Sequence, residues 1–148
     1  MPDGTVLAFD FGEKRIGVAT GETLLVNAHP LTVIHAESRE DQLAAIAALI
    51  DEWQPVQLVV GLPTHADGTA HEMTRRALRF GERLQRRFSL PVGFADERLT
   101  SLDAAARLRD AGRDSKAARP LLDAVAAQLI LQTWFESPHH ANATPSIA

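Results

Sequence analysis

Residues 5–20 read TVLAFDFGEKRIGVAT. Thr5–Phe11 is a short apolar run with β-branched and aromatic members, and it reads as a buried strand. The turn Gly12-Glu13-Lys14-Arg15 leads into Ile16–Thr20, a second run of the same kind, so the two read as a hairpin. Asp10 is the charged residue inside the first run. A carboxylate there must be paired, hydrogen-bonded or metal-bound, because burying a bare charge is expensive. The hairpin therefore sets the start of a sheet and places an acid at the end of its first strand.

Outward from the hairpin, a third strand is expected around Leu31–Ile34. Ser38 followed by Asp41 resembles a capping box. Leu43, Ile46, Ile50 and Trp53 then recur at helical spacing, and Pro55 closes that helix. Val56–Gly61 reads as another buried strand, and Asp67-Gly68 is a turn signal. From about Ala70 to Phe88 the pattern is strongly amphipathic. Met73, Ala77, Phe80, Leu84 and Phe88 share one face, and Arg75, Arg76, Arg79, Arg83, Arg86 and Arg87 occupy a different arc. Pro91–Ala95 reads as a fifth strand. Thr100 with Asp103 repeats the cap pattern before a helix ending at Gly112. A basic loop (Arg113, Lys116, Arg119) precedes Pro120, expected as the first residue of a last helix through Phe135. This order gives a layered α/β domain: a five-stranded mixed sheet, antiparallel at first and parallel in its second half, flanked by helices. One domain is expected over residues 1–136, with 137–148 as a flexible tail.

The chain has 148 residues, 45% hydrophobic and 23% charged, the balance of a globular protein. It contains no cysteine, which excludes a disulfide framework, thiolate metal sites and a cysteine nucleophile. No apolar run is long enough to span a bilayer, and the first residues lack the pattern of a signal peptide. The net charge of -4 argues at face value against a nucleic-acid partner. Its distribution reverses that inference. Residues 1–74 carry 11 acidic and 3 basic side chains, whereas residues 75–119 carry 12 basic and 6 acidic ones. Nearly all these cations are Arg, whose planar fork suits phosphate better than Lys does. A nucleic acid responds to the local field of a surface rather than to a chain-wide sum.

Three acids stand out by position. Asp10 ends the first strand, Glu97 follows the fifth, and Asp123 lies in the first turn of the last helix. Ligands of open α/β sheets gather outside the carboxyl ends of the strands, so Asp10 and Glu97 point to one crevice. Asp123 on a helix packed nearby would complete an oxygen-rich site of the kind Mg²⁺ prefers. Each also has a structural alternative: Asp123 could answer the helix dipole, and Asp96-Glu97-Arg98 could be a surface ion-pair cluster. Other short motifs fail. Asp10-Phe11-Gly12 lacks the remaining kinase elements, and Val18 stands where a phosphate-binding loop needs Lys. His139-His140 lies in the expected tail, and Ser101 has no evident triad partners.

Three segments together carry a resemblance: Asp10 to Ala19 (DFGEKRIGVA), Val59 to Pro63 (VVGLP) with Asp67-Gly68, and Asp96 to Ser101 (DERLTS). With the closing Asp123 to Ala127 (DAVAA), they are similar to the successive motifs of the YqgF (RuvX-like) family, in order, from Thr5 to about Glu136. The resemblance implies a ribonuclease H-like fold of the Holliday-junction-resolvase type and a bacterial cytoplasmic nuclease. The implied activity is maturation of the 5′ end of 16S ribosomal RNA, with four-way DNA junction resolution or non-catalytic RNA binding as alternatives. It assigns the acidic site to Asp10, Glu97 and Asp123, holding one or two Mg²⁺ or Mn²⁺ ions. Lys14, Arg15 and Arg98, with the arginine face of Arg75, Arg76, Arg79 and Arg83, would contact the substrate, RNA first and structured DNA second. The chain departs from the pattern twice. Gly61-Leu62-Pro63 stands where resolvase relatives carry an acid, and Ala124 replaces the usual serine after Asp123.

Overall fold

The computed structural model describes residues 3–12, 14–63, 68–96 and 119–136, the side chains of 68–71 and 119–121 excepted. Five strands are β1 (Thr5–Asp10), β2 (Arg15–Glu22), β3 (Asn27–His35), β4 (Gln57–Leu62) and β5 (Val92–Asp96). Three helices are α1 (Arg39–Trp53), α2 (Gly68–Phe88) and α3 (Arg119–Glu136). The sheet order is β3-β2-β1-β4-β5. β2 runs antiparallel to β1 and β3, while β4 is parallel to both β1 and β5. This is the mixed five-stranded α/β sheet expected of the sequence. The expected helix between Thr100 and Gly112 and the tail beyond Glu136 lie outside the described residues.

Alternation along β1 divides the core. Leu7 and Phe9 turn to one face, joining Ile16, Val18, Leu58 and Val60 under α1 and α2. Val6 and Ala8 turn to the other, joining Ala19, Val59 and Ala95 under α3 through Ala127, Ile130, Leu131 and Trp134. These central positions are fully buried, as the uninterrupted apolar runs of parallel strands require. α1 begins as its cap signal indicates: the Asp41 N–H donates to Ser38 Oγ at 3.1 Å. It ends at Gln54, whose φ of 48° turns the chain and whose N–H reaches the Ile50 carbonyl at 2.8 Å.

α2 buries Ala77, Phe80 and Leu84. Phe80 meets Phe9 edge-on, with ring centroids 6.0 Å apart, and stacks against Phe11 at 4.7 Å. On the opposite face α3 crosses all five strands. Gln128 Nε2 donates to the Ala28 carbonyl at 2.9 Å and ties this helix to the edge of the sheet. Gly93 clears space for the Trp134 ring, which a Cβ at that position would overlap.

Besides shifts of one or two residues at other element ends, two differences from the sequence reading have a physical cause. β3 spans Asn27–His35 rather than a short segment around Leu31, because its proline is harmless there. Pro30 lies on an edge strand, where a missing N–H takes nothing from a ladder on the open side. The pairing skips Leu31 between Val18↔Thr32 and Ala19↔Pro30, a bulge that takes up the irregularity. α3 starts at Arg119, so Pro120 is its second residue and Arg119 belongs to the helix rather than to the loop. Proline is tolerated in that turn because the first N–H groups have no intrahelical acceptor. Among the described residues no helix is long and apolar enough to cross a membrane.

Candidate active site

β1, β4 and β5 all point the same way and end at Asp10, Leu62 and Asp96. Their carboxyl ends form the edge where open α/β sheets collect ligands. Asp10 continues the Val6–Ala8 alternation, so it belongs to the face covered by α3. Its partner across the ladder is Gly17 on β2. A Cβ at Gly17 would overlap the backbone carbonyl of Asp123. Glycine at this one position thus lets the first turn of α3 settle onto the sheet beside Asp10.

Asp10 and Asp123, 113 residues apart in the numbering of the chain, consequently line one cleft of about 330 Å³. Phe11, Gly12, Lys14 and Arg15 complete its lining. Arg15 Nε lies 3.0 Å from Asp123 Oδ2, with the two side chains 40% and 26% exposed. The approach is an ion pair by distance but lacks hydrogen-bond alignment. Asp123 Oδ2 is itself buried and, among the described residues, has no hydrogen-bond donor aimed at it. Arg15 supplies that oxygen with charge but no aligned hydrogen bond, so it keeps acceptor capacity for which a cation in the cleft would compete. Its surroundings also suit one: two carboxylates, water access and no sulfur or imidazole match the oxygen ligands of a hard divalent ion. Among the described residues no group of three acidic or histidine side chains is gathered. Glu97 and Arg98 lie outside the described residues, as does Glu13.

The arginine face of α2 is built as its spacing indicates, with the aromatic face inward. Arg76, Arg79 and Arg83 line a second cleft with Phe11, Glu37, Arg39 and Gln42. Arg75 is exposed and lines neither this cleft nor the first. Arg76 is engaged in a 3.0 Å pair with Glu72 one turn away. Arg39, at the start of α1, was not singled out by the sequence. It is an isolated cation in an acidic half of the chain, and only the fold brings it opposite α2.

The family model described as "RuvX: Holliday junction resolvase" matches residues 4–137. The chain belongs to the RuvX family. Its relatives include a protein of Dechloromonas aromatica that is 82% identical over 137 residues, covering 93% of this chain and 94% of that one. A relative from Nitrosomonas europaea is 53% identical over 148 residues, with 96% and 100% covered. Both bear the name "Putative pre-16S rRNA nuclease". Among solved structures, the fold is similar to Thermus thermophilus RuvC in complex with a Holliday junction substrate, with a TM-score of 0.58 and 18% identity. That match covers 97% of this RuvX-family chain and 99% of RuvC. It shows a shared fold, the ribonuclease H-like layout expected from the motifs.

Proposed function

We propose that this RuvX-family protein is a metal-dependent nuclease that hydrolyses phosphodiester bonds in maturing the 5′ end of 16S ribosomal RNA. The observation that carries the reading is the meeting of Asp10 and Asp123 in one cleft beside Arg15 and Lys14. The names of the relatives at 82% and 53% identity support ribosomal RNA as the substrate, and the bacterial cytoplasm is the place proposed for the reaction.

Asp10 and Asp123 would hold the divalent ion, Mg²⁺ or Mn²⁺, with Glu97 as the third acid. Such an ion, when bound, supplies Lewis-acid activation of a phosphate and of an attacking water. Asp10 projects from the end of a fully buried strand, so its carboxylate is held by a rigid support. Asp123 is positioned by the backbone seat on Gly17 and enters the cleft from the opposite layer. Arg15 has two uses. It balances Asp123 before the substrate arrives, and as part of the cleft lining it would offer its remaining donors to a phosphate. Lys14 adds an exposed charge on the same rim. Together these cations would offset the charge that builds on the phosphate during displacement.

The family description also favours a second reading, resolution of four-way DNA junctions, which uses the same chemistry on another arrangement of phosphates. A side-by-side assay separates them. Precursor 16S RNA and a four-way DNA junction are incubated with the protein in Mg²⁺ or Mn²⁺, with Asp10→Asn and Asp123→Asn proteins as controls for contaminating nuclease. Site-specific cleavage of the RNA alone is the expected result. Symmetric nicking of the junction with intact RNA would assign the protein to resolution instead. Binding without products at any metal concentration would leave an RNA-binding assembly factor.

A further inference from the structure

α1 and α2 cover the same face of the sheet, and a cleft of about 790 Å³ separates them. Its cationic lining comes from both walls: Arg39 from α1, and Arg79, Arg83, Arg86 and Arg87 from α2. Glu40 and Glu82 also line it, but Glu82 is committed to Arg86 at 2.6 Å. Among the described residues Arg39, Arg79, Arg83 and Arg87 have no carboxylate within ion-pair distance. Burial first, then the neighbouring Arg39 and Arg86, hold the Arg83 guanidinium below the usual arginine pKa. Like charges gathered in this way raise one another's energy until an anion is seated among them.

The cleft is also connected. Arg39, Arg79 and Arg83 line both it and the adjoining cleft that ends at Phe11. Phe11 in turn lines the cleft of Asp10 and Asp123. Shared lining residues thus link the three clefts in series, from the sheet edge to the α1–α2 valley. From Arg76 to Arg87 the α2 wall extends about 16 Å at the rise of an α-helix. A volume near 790 Å³ is on the scale of pockets for drug-sized ligands, enough for a strand of a few nucleotides. That volume seats a few nucleotides of one strand rather than the paired strands of a duplex turn.

We propose that the valley between α1 and α2 is a phosphate-backbone channel that receives single-stranded nucleic acid running on from the Asp10 cleft past Phe11. The proposal rests on the nuclease reading and deepens it, because it assigns a single-stranded flank to the substrate. The arginines track the backbone by charge and make no demand on sequence. Phe11, backed by Phe80, is the aromatic residue among the described residues that line the path, and a base can stack there as the strand leaves the site.

The test measures binding in EDTA, separately from cleavage. Fluorescently labelled 12-nucleotide oligoadenylate and an RNA hairpin with a fully paired stem are titrated with the whole protein at several salt concentrations. Arg39→Gln/Arg83→Gln should weaken oligoadenylate binding by about tenfold and reduce the slope of log affinity against log salt by about 1.4, at roughly 0.7 per phosphate contact. The hairpin should lose less than the single strand. Arg39→Lys/Arg83→Lys, which keeps the charge, should retain most of the slope. An unchanged slope, or equal losses on the two probes, overturns the channel. Metal-dependent cleavage by the unmodified protein is scored independently, so failure of the channel and failure of the nuclease reading give different results.

Discussion

The carbonyl oxygen of Asp123 occupies the space that a side chain at Gly17 would need. Gly17 is paired with Asp10 across the β1–β2 ladder, so one missing methyl group couples the packing of α3 to the meeting of two acids. Substituting Gly17→Ala must lift the first turn of α3. Overpacking of this kind costs about 1–3 kcal/mol. The expected outcome is a lower Tm together with a loss of cleavage larger than the fraction unfolded explains. Wild-type stability in thermal melts would show that the turn sits elsewhere.

Arg15→Gln separates the two uses of that arginine. Exposed ion pairs contribute about 0.2–1 kcal/mol, so Asp123 should bind a divalent ion up to about fivefold more tightly once its competitor is gone. Affinity for a phosphate-bearing substrate should fall in the same variant. Calorimetric titration with Mn²⁺ and a binding assay with RNA read the two effects independently. A fall in both affinities would mean that Arg15 orders the site rather than competing for it.

Phe80 links helix to sheet: it projects from α2, meets Phe9 of β1 edge-on and stacks against Phe11 just beyond the end of that strand. Phe80→Ala removes a fully buried ring and should cost about 3–5 kcal/mol in urea unfolding. Phe80→Leu keeps most of the volume and should cost less, while still loosening Phe11. A cost under about 1 kcal/mol for the alanine variant would contradict the packing.

Much of this architecture was legible in the chain. Two patterns decided three of the elements: the paired apolar runs in residues 5–20, and helical spacing in residues 73–88. Capping by Ser38 was legible because the cap is a local hydrogen bond. The full length of β3 was not legible, because whether a strand can run through Pro30 depends on its being at an edge, which is a tertiary fact. The site was legible only in part. Asp10 and Asp123 could be singled out by position, but nothing local tells that Gly17 provides the seat between them. Arg39 was missed for the same reason, since its neighbours in sequence are acidic and its neighbours in space are arginines.

The turn between β2 and β3 offers a check independent of the site. Val26 has a φ of 49°, a left-handed conformation that a β-branched residue adopts only under strain, and its side chain is 48% exposed. Val26→Asn should therefore raise stability, by about 1 kcal/mol if the strain is at the lower end for such residues. Thermal unfolding measures it. A lower Tm would mean that the exposed valine makes a contact worth more than the strain.

The proposed chemistry depends most directly on Asp10. Cleavage of a precursor 16S RNA fragment should be measured in Mg²⁺ or Mn²⁺ for the wild-type protein and for Asp10→Asn purified in parallel. Circular dichroism and thermal melts would establish that both are folded. The expected result is site-specific cleavage by the wild type and none by the folded variant. Full cleavage by a folded Asp10→Asn protein would contradict the assignment of this acid to the metal and to the reaction.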